Sequence, residues 1–283
     1  MRSGLEELTV VITGASGGIG WATAEAFADE GAHLVLHAHT GRAALEGRVA
    51  AATWADRALV FAGDLRDEDA NEALFAAACE RFGRVDVAIL NAGIWPPAPL
   101  PLWETPATRL REVLDTNLLG VIFGARAFLR RLADRGPRED RRGASLCLIG
   151  STAGRFGEAD HVAYAVTKAG LRGLMRSLKN EIVRLDPYGR VNLVEPGWTV
   201  TPMARAALDD PAVIPKVLAT MPVRQLARPE DIARALLFFS APALARHVSG
   251  EILTVAGGME GRRLWDAAAI DVAEVRRRLD SDE

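Results

Sequence analysis

Seven short apolar runs, rich in β-branched residues, recur along the chain: "LTVVI" (8–12), "HLVLH" (33–37), "ALVFA" (58–62), "VDVAIL" (85–90), "ASLCLIG" (144–150), "RVNLV" (190–194) and "EILTV" (251–255). They are close to continuously apolar rather than alternating, which is the mark of strands buried on both faces. Between them, residues 19–30, 42–52, 68–82, 106–134, 162–185 and 229–240 have helical spacing and few breakers. This alternation predicts an α/β, doubly wound Rossmann-type fold, with a seven-stranded parallel sheet and helices on both faces. Ligands are then expected at the carboxyl ends of the strands.

At 283 residues the chain reads as one domain over 1–259, followed by a charged, helical tail over 260–283. In that tail Leu264, Trp265, Ile270 and Leu279 are candidates for packing on a partner subunit. Residues 134–143 form a charged turn before the fifth strand. Residues 203–222, bordered or interrupted by Pro202, Pro211, Pro215 and Pro222, read either as a lid over a pocket or as a surface excursion. Apolar content of 49%, charged content of 25% and a net charge of −3 suit a soluble globular protein without a nucleic-acid or membrane surface. The amino terminus passes directly into a strand-like run with no signal-peptide pattern, so a cytoplasmic protein is expected. Cys79 and Cys147 read as buried structural thiols, and His33, His37 and His247 lack the spacing of metal ligands. No metal site is expected.

"VVITGASGGIGWATAEAFADEG" leads from the first strand through Gly14, Gly17, Gly18 and Gly20 into a helix. A glycine-rich turn at a helix amino terminus exposes backbone N–H groups and the positive end of the helix dipole, a seat for a pyrophosphate. The spacing T-G-x-x-x-G-x-G, Thr13 to Gly20, resembles the loop of the short-chain dehydrogenase/reductase family. "GDL" (63–65), "LNAG" (90–93), "TNLLG" (116–120), Ser151, "YAVTK" (164–168) and "EPGWTVT" (195–201) are similar to further motifs of that family, in order, over about residues 6–259.

The resemblance implies a dinucleotide held by Thr13, Gly14, Ser16, Gly17, Gly18, Ile19 and Gly20, with Asp64 and Leu65 at the adenine. Asn91, Ala92 and Gly93 would let it pass close to backbone, and Pro196, Gly197, Thr199 and Thr201 would meet the nicotinamide side. The position at the end of the second strand where NAD-selective members carry an acid is Ala38, followed by His39, Thr40 and Arg42. A hydroxyl and a guanidinium there suit a 2′-phosphate, so NADP is preferred over NAD.

Carbonyl reduction needs a hydride donor, a proton donor for the forming alkoxide and a group that fixes the carbonyl oxygen. Tyr164 and Lys168 stand one helical turn apart, and a positive charge beside a phenol favours its ionised form. In the family reading Ser151 bonds the substrate oxygen, Tyr164 carries the proton, Lys168 lowers the tyrosine pKa and bonds the nicotinamide ribose, and Asn117 holds a helix distortion. Trp95, Phe156, His161 and Trp198 are expected to line the substrate cavity. The implied function is NAD(P)-dependent interconversion of a ketone, or a 3-oxoacyl group, and a secondary alcohol, most like the 3-oxoacyl-carrier-protein reductases. The alternatives are an NAD-dependent sugar or polyol dehydrogenase and a dinucleotide-binding protein without turnover. The partner is a small carbonyl or alcohol substrate, with Arg130, Arg131, Arg135 and Arg141 as candidates for a basic patch. A homo-oligomer, tetramer or dimer, is implied through the helices at 106–134 and 162–185.

Overall fold

The computed structural model describes residues 3–96, 98–263, 268 and 271–280. In chain order the elements are β1 (Thr9–Ile12), α1 (Gly18–Asp29), β2 (His33–Ala38), α2 (Arg42–Ala50), β3 (Ala58–Ala62), α3 (Glu68–Phe82), β4 (Val87–Leu90) and α4 (Ala107–Leu114). After a π-helical turn (Asp115–Leu119) come α5 (Gly120–Arg135), β5 (Ser145–Ile149), α6 (Thr152–Phe156), α7 (Val162–Glu181), β6 (Arg190–Pro196), α8 (Pro202–Leu208), α9 (Val213–Leu218), α10 (Pro229–Ser240), α11 (Pro242–Ala245), β7 (Ile252–Val255) and α12 (Val272–Asp280). The seven strands form one parallel sheet in the order β3-β2-β1-β4-β5-β6-β7. The seven expected strands and the helices between them form with ends within a few residues of the sequence reading, except that the helix expected over 106–134 is interrupted by the π-helical turn; of the tail expected as helical over 260–283, residues 260–263 are not helical and Val272–Asp280 are.

Successive strand residues point to opposite faces, so each continuous apolar run supplies two cores at once. Val10 and Ile12 of β1, Leu34 and Leu36 of β2, and Val87 and Ile89 of β4 join Phe27 of α1, Leu45 of α2 and Leu236 and Phe239 of α10. Val11, Val35, Ala88 and Leu90 face the other way, against Leu74 and Phe75 of α3, Phe128 and Leu132 of α5, and Leu171 and Met175 of α7. The order of strands reverses between β1 and β4, and the two chain ends that diverge there open a crevice at their carboxyl edge.

The segment after β6 is folded: α8 starts at Pro202 with the Thr201 side chain as its N-cap, and α9 packs Val217 against Met221, Ala256 and Met259, with Phe156 and Trp198 beside them. Of the tail candidates, Leu264, Trp265 and Ile270 lie outside the described residues, and only the helical backbone of Leu279 is described. Arg130 and Arg131 pair with Glu72, and Arg130 also with Glu68, so the middle of the expected basic patch is neutralised by α3. Cys79 is half-buried, Cys147 is buried, and both are free. No helix among the described residues is long and apolar enough to cross a membrane.

Candidate active site

Two contiguous cavities occupy the crevice. The first, about 350 Å³, is lined by the glycine loop, the end of β2 and the β3 and β4 ends. The second, about 160 Å³, lies over the β5 and β6 ends; Ile19, Asn91, Gly93, Thr201 and Met203 border both.

The glycine loop is shaped by backbone needs. Gly14 has φ +65°, and a Cβ there would stand 3.0 Å from the Ala92 Cα. At Gly20 a Cβ would come within 2.3 Å of the Gly14 carbonyl oxygen, so α1 meets its own loop at a distance only glycine permits. Gly17 caps α1 without any side-chain hydrogen bond, which leaves the first N–H groups of the helix facing the cavity. Thr13 and Asn91 act between strands: the Thr13 hydroxyl accepts from the N–H groups of Asn91 and Ala92 at 2.9 Å each, and Asn91 Nδ2 donates to the Thr13 carbonyl at 2.9 Å. They hold the crevice open at a fixed width.

At the far end the cavity touches His39, Thr40, Asp64, Leu65 and Arg66. Arg42 is not among them; its Nε bonds Glu46 at 2.7 Å on the exposed face of α2, because one helical turn satisfies that guanidinium locally. The basic group present is Arg66, whose Nε donates to both Asp64 oxygens at 2.9 and 3.0 Å and holds that carboxyl below the usual carboxylate range. His37, which the sequence marks only as a non-ligand, stitches the loop to the sheet: Nδ1 accepts from the Gly14 N–H at 3.2 Å and Nε2 lies 2.9 Å from the Gly63 carbonyl. Burial lowers its pKa, which keeps the ring neutral and Nδ1 an acceptor. An inward histidine on a continuously apolar strand was the only signal of that role.

The expected tetrad comes together around the second cavity. Ser151 lies two residues past β5 and caps α6, its Oγ accepting from the Ala153 N–H at 3.1 Å. Tyr164 and Lys168 face the cavity from the first turns of α7. Asn117 sits within the π-helical turn and clasps the strand β4 exit reciprocally, accepting from the Ile94 N–H at 2.7 Å and donating to its carbonyl at 2.8 Å. The expected charge relation differs. Lys168 Nζ stands 5.7 Å from the Tyr164 ring centre and donates to the Ile149 carbonyl at 2.8 Å. Burial pushes the Tyr164 phenol up to about 12 against the opposing pull of the Ser151 hydroxyl, and brings Lys168 down to about 8. Loss of hydration disfavours both charged forms, and the Glu158 carboxylate raises the phenol further.

Of the expected cavity walls, Trp95 and Trp198 are in place, their rings edge to face at 6.2 Å. Phe156 is instead packed with Trp198 in the cluster under α9. His161 lies outside the cavity, stacked on Trp95 at 4.6 Å with Nε2 2.9 Å from the Pro96 carbonyl, so it braces a wall. Glu158 and Arg262 border the cavity as well. Neither belongs to a motif; the tail residue Arg262 reaches the site only through the fold.

A dinucleotide fits this arrangement. The uncapped amino terminus of α1 offers N–H donors to a pyrophosphate. Gly93 is the bare point between the cavities, where a Cβ would lie 3.1 Å from Asn117 Oδ1 and 3.5 Å from Lys168 Nζ and fill the passage.

A family model described as enoyl-(acyl carrier protein) reductase matches residues 14–260. L-rhamnose 1-dehydrogenase (NAD(P)(+)) of Azotobacter vinelandii is 36% identical over 263 residues, spanning 90% of this chain and 97% of that protein. Cis-4-hydroxycyclohexanecarboxylate dehydrogenase of Sinomonas cyclohexanicum is 35% identical, over 91% of this chain and 98% of that one. The crystal structure of a short-chain dehydrogenase/reductase, glucose/ribitol dehydrogenase, from Brucella melitensis superposes with a TM-score of 0.82 at 32% identity, covering 91% of this chain and 98% of that chain. Parallel sheet, glycine loop and match along nearly the whole length agree: the chain belongs to the short-chain dehydrogenase/reductase family of NAD(P)-dependent oxidoreductases.

Proposed function

We propose that this oxidoreductase interconverts a ketone and a secondary alcohol by direct hydride transfer, with Tyr164 carrying the proton, Ser151 holding the oxygen, and NADP preferred over NAD. The observation that carries the reading is the convergence of Ser151, Tyr164 and Lys168 on one cavity that opens, past Gly93, into the dinucleotide-sized groove. Bound dinucleotide, seated by the α1 amino terminus and by Gly93, Pro196, Gly197, Thr199 and Thr201, supplies or accepts the hydride.

The protein's own groups do the rest. With its pKa raised to about 12, the phenol of Tyr164 is fully protonated at neutral pH and ready to donate to a forming alkoxide. As it donates it becomes a phenolate, and Lys168, on the same helix face, then holds the compensating charge. The Ile149 carbonyl fixes the ammonium in place, and Asn117 fixes the loop over it. Ser151 acts from a backbone-anchored position, since capping α6 restricts its rotation.

The NADP preference is supported by the absence of an acid at Ala38 and by His39, Thr40 and Arg66 at the adenosine end. Comparison of the dissociation constants of NADPH and NADH by their fluorescence tests it. A second reading, oxidation of a sugar or polyol, is favoured by the 36% identity with L-rhamnose 1-dehydrogenase. Association into a homo-oligomer through the helical segments at 106–134 and 162–185 is part of the proposal; exposed Leu119, Val162 and Val166 support it, and light scattering reads it.

Tyr164→Phe is the deciding experiment. It keeps the ring and removes the proton, so consumption of NADPH on a panel of ketones, β-ketoesters and quinones should fall by about 10²- to 10⁴-fold. Turnover at the wild-type rate in that variant would sink the mechanism.

A further inference from the structure

The substrate end of the second cavity has a construction that the hydride-transfer reading does not require. Glu158 and Arg262 face it together, about four-fifths buried, with Glu158 Oε2 and Arg262 Nη2 3.9 Å apart. That gap exceeds hydrogen-bond range. Glu158 Oε1 accepts from Trp95 Nε1 at 3.1 Å and lies 3.7 Å from His161 Nδ1, and Arg262 Nε donates to the Gly157 carbonyl at 3.1 Å, which leaves Oε2 and Nη2 as neighbours with no hydrogen bond between them, on two residues that both border the cavity. Trp95 is held by that bond and by the His161 ring, and Trp198 meets it edge to face at 75°. Two fixed indoles therefore flank a carboxylate and a guanidinium beside Ser151 and Tyr164.

We infer that the substrate is a neutral, polyhydroxylated ring of the pyranose type, with one ring hydroxyl bridging Glu158 and Arg262 while another is oxidised at Tyr164. A hydroxyl both donates and accepts, so one such group seated on the cavity side of the pair bridges it by donating to the carboxylate and accepting from the guanidinium. A substrate carboxylate cannot donate and meets the charge of Glu158. An acyl chain would desolvate both ions and leave them unbonded, which is costly. The indoles supply apolar faces for the C–H side of a ring, and their fixed positions spare the cost of ordering them on binding. In the oxidation Tyr164 would first release its phenolic proton to solvent; the ring C–H bond would then break with its electron pair going to the oxidised nicotinamide, the O–H proton would pass to the phenolate oxygen, and the carbon would be left as C=O.

This inference rests on the hydride-transfer reading, and the test separates the two. Purified full-length protein is assayed with NAD and NADP against hexopyranoses and 6-deoxyhexopyranoses, against cyclohexanol and 4-hydroxycyclohexanecarboxylate, and in reverse against an acetoacetyl thioester. At least one pyranose should exceed cyclohexanol in kcat/KM by about 100-fold, given two charge-assisted hydrogen bonds. Glu158→Gln and Arg262→Met should each lower that value by about 10- to 100-fold, mainly through KM. A monodeoxy analogue of the preferred pyranose, lacking the bridging hydroxyl, should lose a similar factor with the wild type and less than about threefold with Glu158→Gln, a coupling that general loosening of the fold would not produce. Better turnover of cyclohexanol, the carboxylate or the thioester than of every pyranose, or no monodeoxy analogue whose loss shrinks in the variants, overturns the inference and leaves hydride transfer standing. Failure of every compound, with nucleotide bound, overturns both.

Discussion

Replacing Lys168 by methionine removes an ammonium that burial disfavours. Burial lowers its pKa from 10.5 to about 8, and the residue is only 4% exposed. A group whose folded pKa lies below its unfolded one binds fewer protons when folded, so it destabilises the fold wherever the unfolded chain keeps its proton. Below pH 8 the lysine is charged in both states and the whole penalty applies; between 8 and 10.5 the folded chain releases the proton first and the penalty fades; above 10.5 it is gone. Those two values give about 3 kcal/mol at about pH 7 and about 1 kcal/mol at about pH 9.5. Methionine also orphans the Ile149 carbonyl that Lys168 bonds, at about 1 to 3 kcal/mol independent of pH. The difference between the two pH values cancels that constant. Urea denaturation of both proteins without nucleotide should therefore show the variant's stability, relative to wild type, falling by about 2 kcal/mol between about pH 7 and about pH 9.5. Under the proposed mechanism, catalysis should be lost in the same variant, since a destabilising buried charge is kept there for its role beside Tyr164. A relative stability that does not change with pH would refute the argument, since it would mean that Lys168 is well hydrated in the folded chain.

Three further outcomes follow from other contacts. Gly20→Ala would put a Cβ 2.3 Å from the Gly14 carbonyl oxygen and should cost about 2 to 3 kcal/mol in thermal unfolding, with weakened nucleotide binding as the loop shifts. Arg172 bonds Glu195 through two contacts of 2.7 Å, and Glu195 is fully buried beneath the β6 end; Arg172→Met should cost about 3 to 5 kcal/mol in urea denaturation, and adding Glu195→Gln should recover most of it. Because the Tyr164 phenol stays protonated to about 12, ketone reduction should be level from about pH 6 to 8 while alcohol oxidation, which begins by removing that proton, climbs with pH over the same range. Oxidation that falls as pH rises would contradict the assignment of Tyr164 as the base.

Much of the site was legible because its residues lie at strand ends and helix starts, where local sequence and position in the sheet are tied together. Ser151 stands two residues past the end of β5, and Tyr164 and Lys168 share a helical face at a spacing of one turn. The glycines of the loop are readable for a similar reason, since backbone conformation and close approach restrict each position to one residue type. Arg42 was misplaced because sequence proximity to the β2 end says nothing about which way a helix turns its side chains; Glu46, one turn on, takes the guanidinium away from the groove. Phe156 was misplaced in the same way, its ring being claimed by the cluster under α9.

By itself the sequence determined the layers, the seven parallel strands and the residues converging on the crevice, because hydrophobic periodicity and glycine requirements act over a few residues. The tertiary structure decided what depends on distance through space and on exclusion of water. It placed Arg66 rather than Arg42 on the wall of the groove, and turned His37 from an unassigned core histidine into the tie beneath the glycine loop. It brought Arg262 to Glu158 across 104 positions of chain and braced Trp95 with His161. It also reversed the expected direction of the Tyr164 shift, since a pKa is set by the balance of hydration lost and charge nearby, and neither can be counted until the chain has closed around the group.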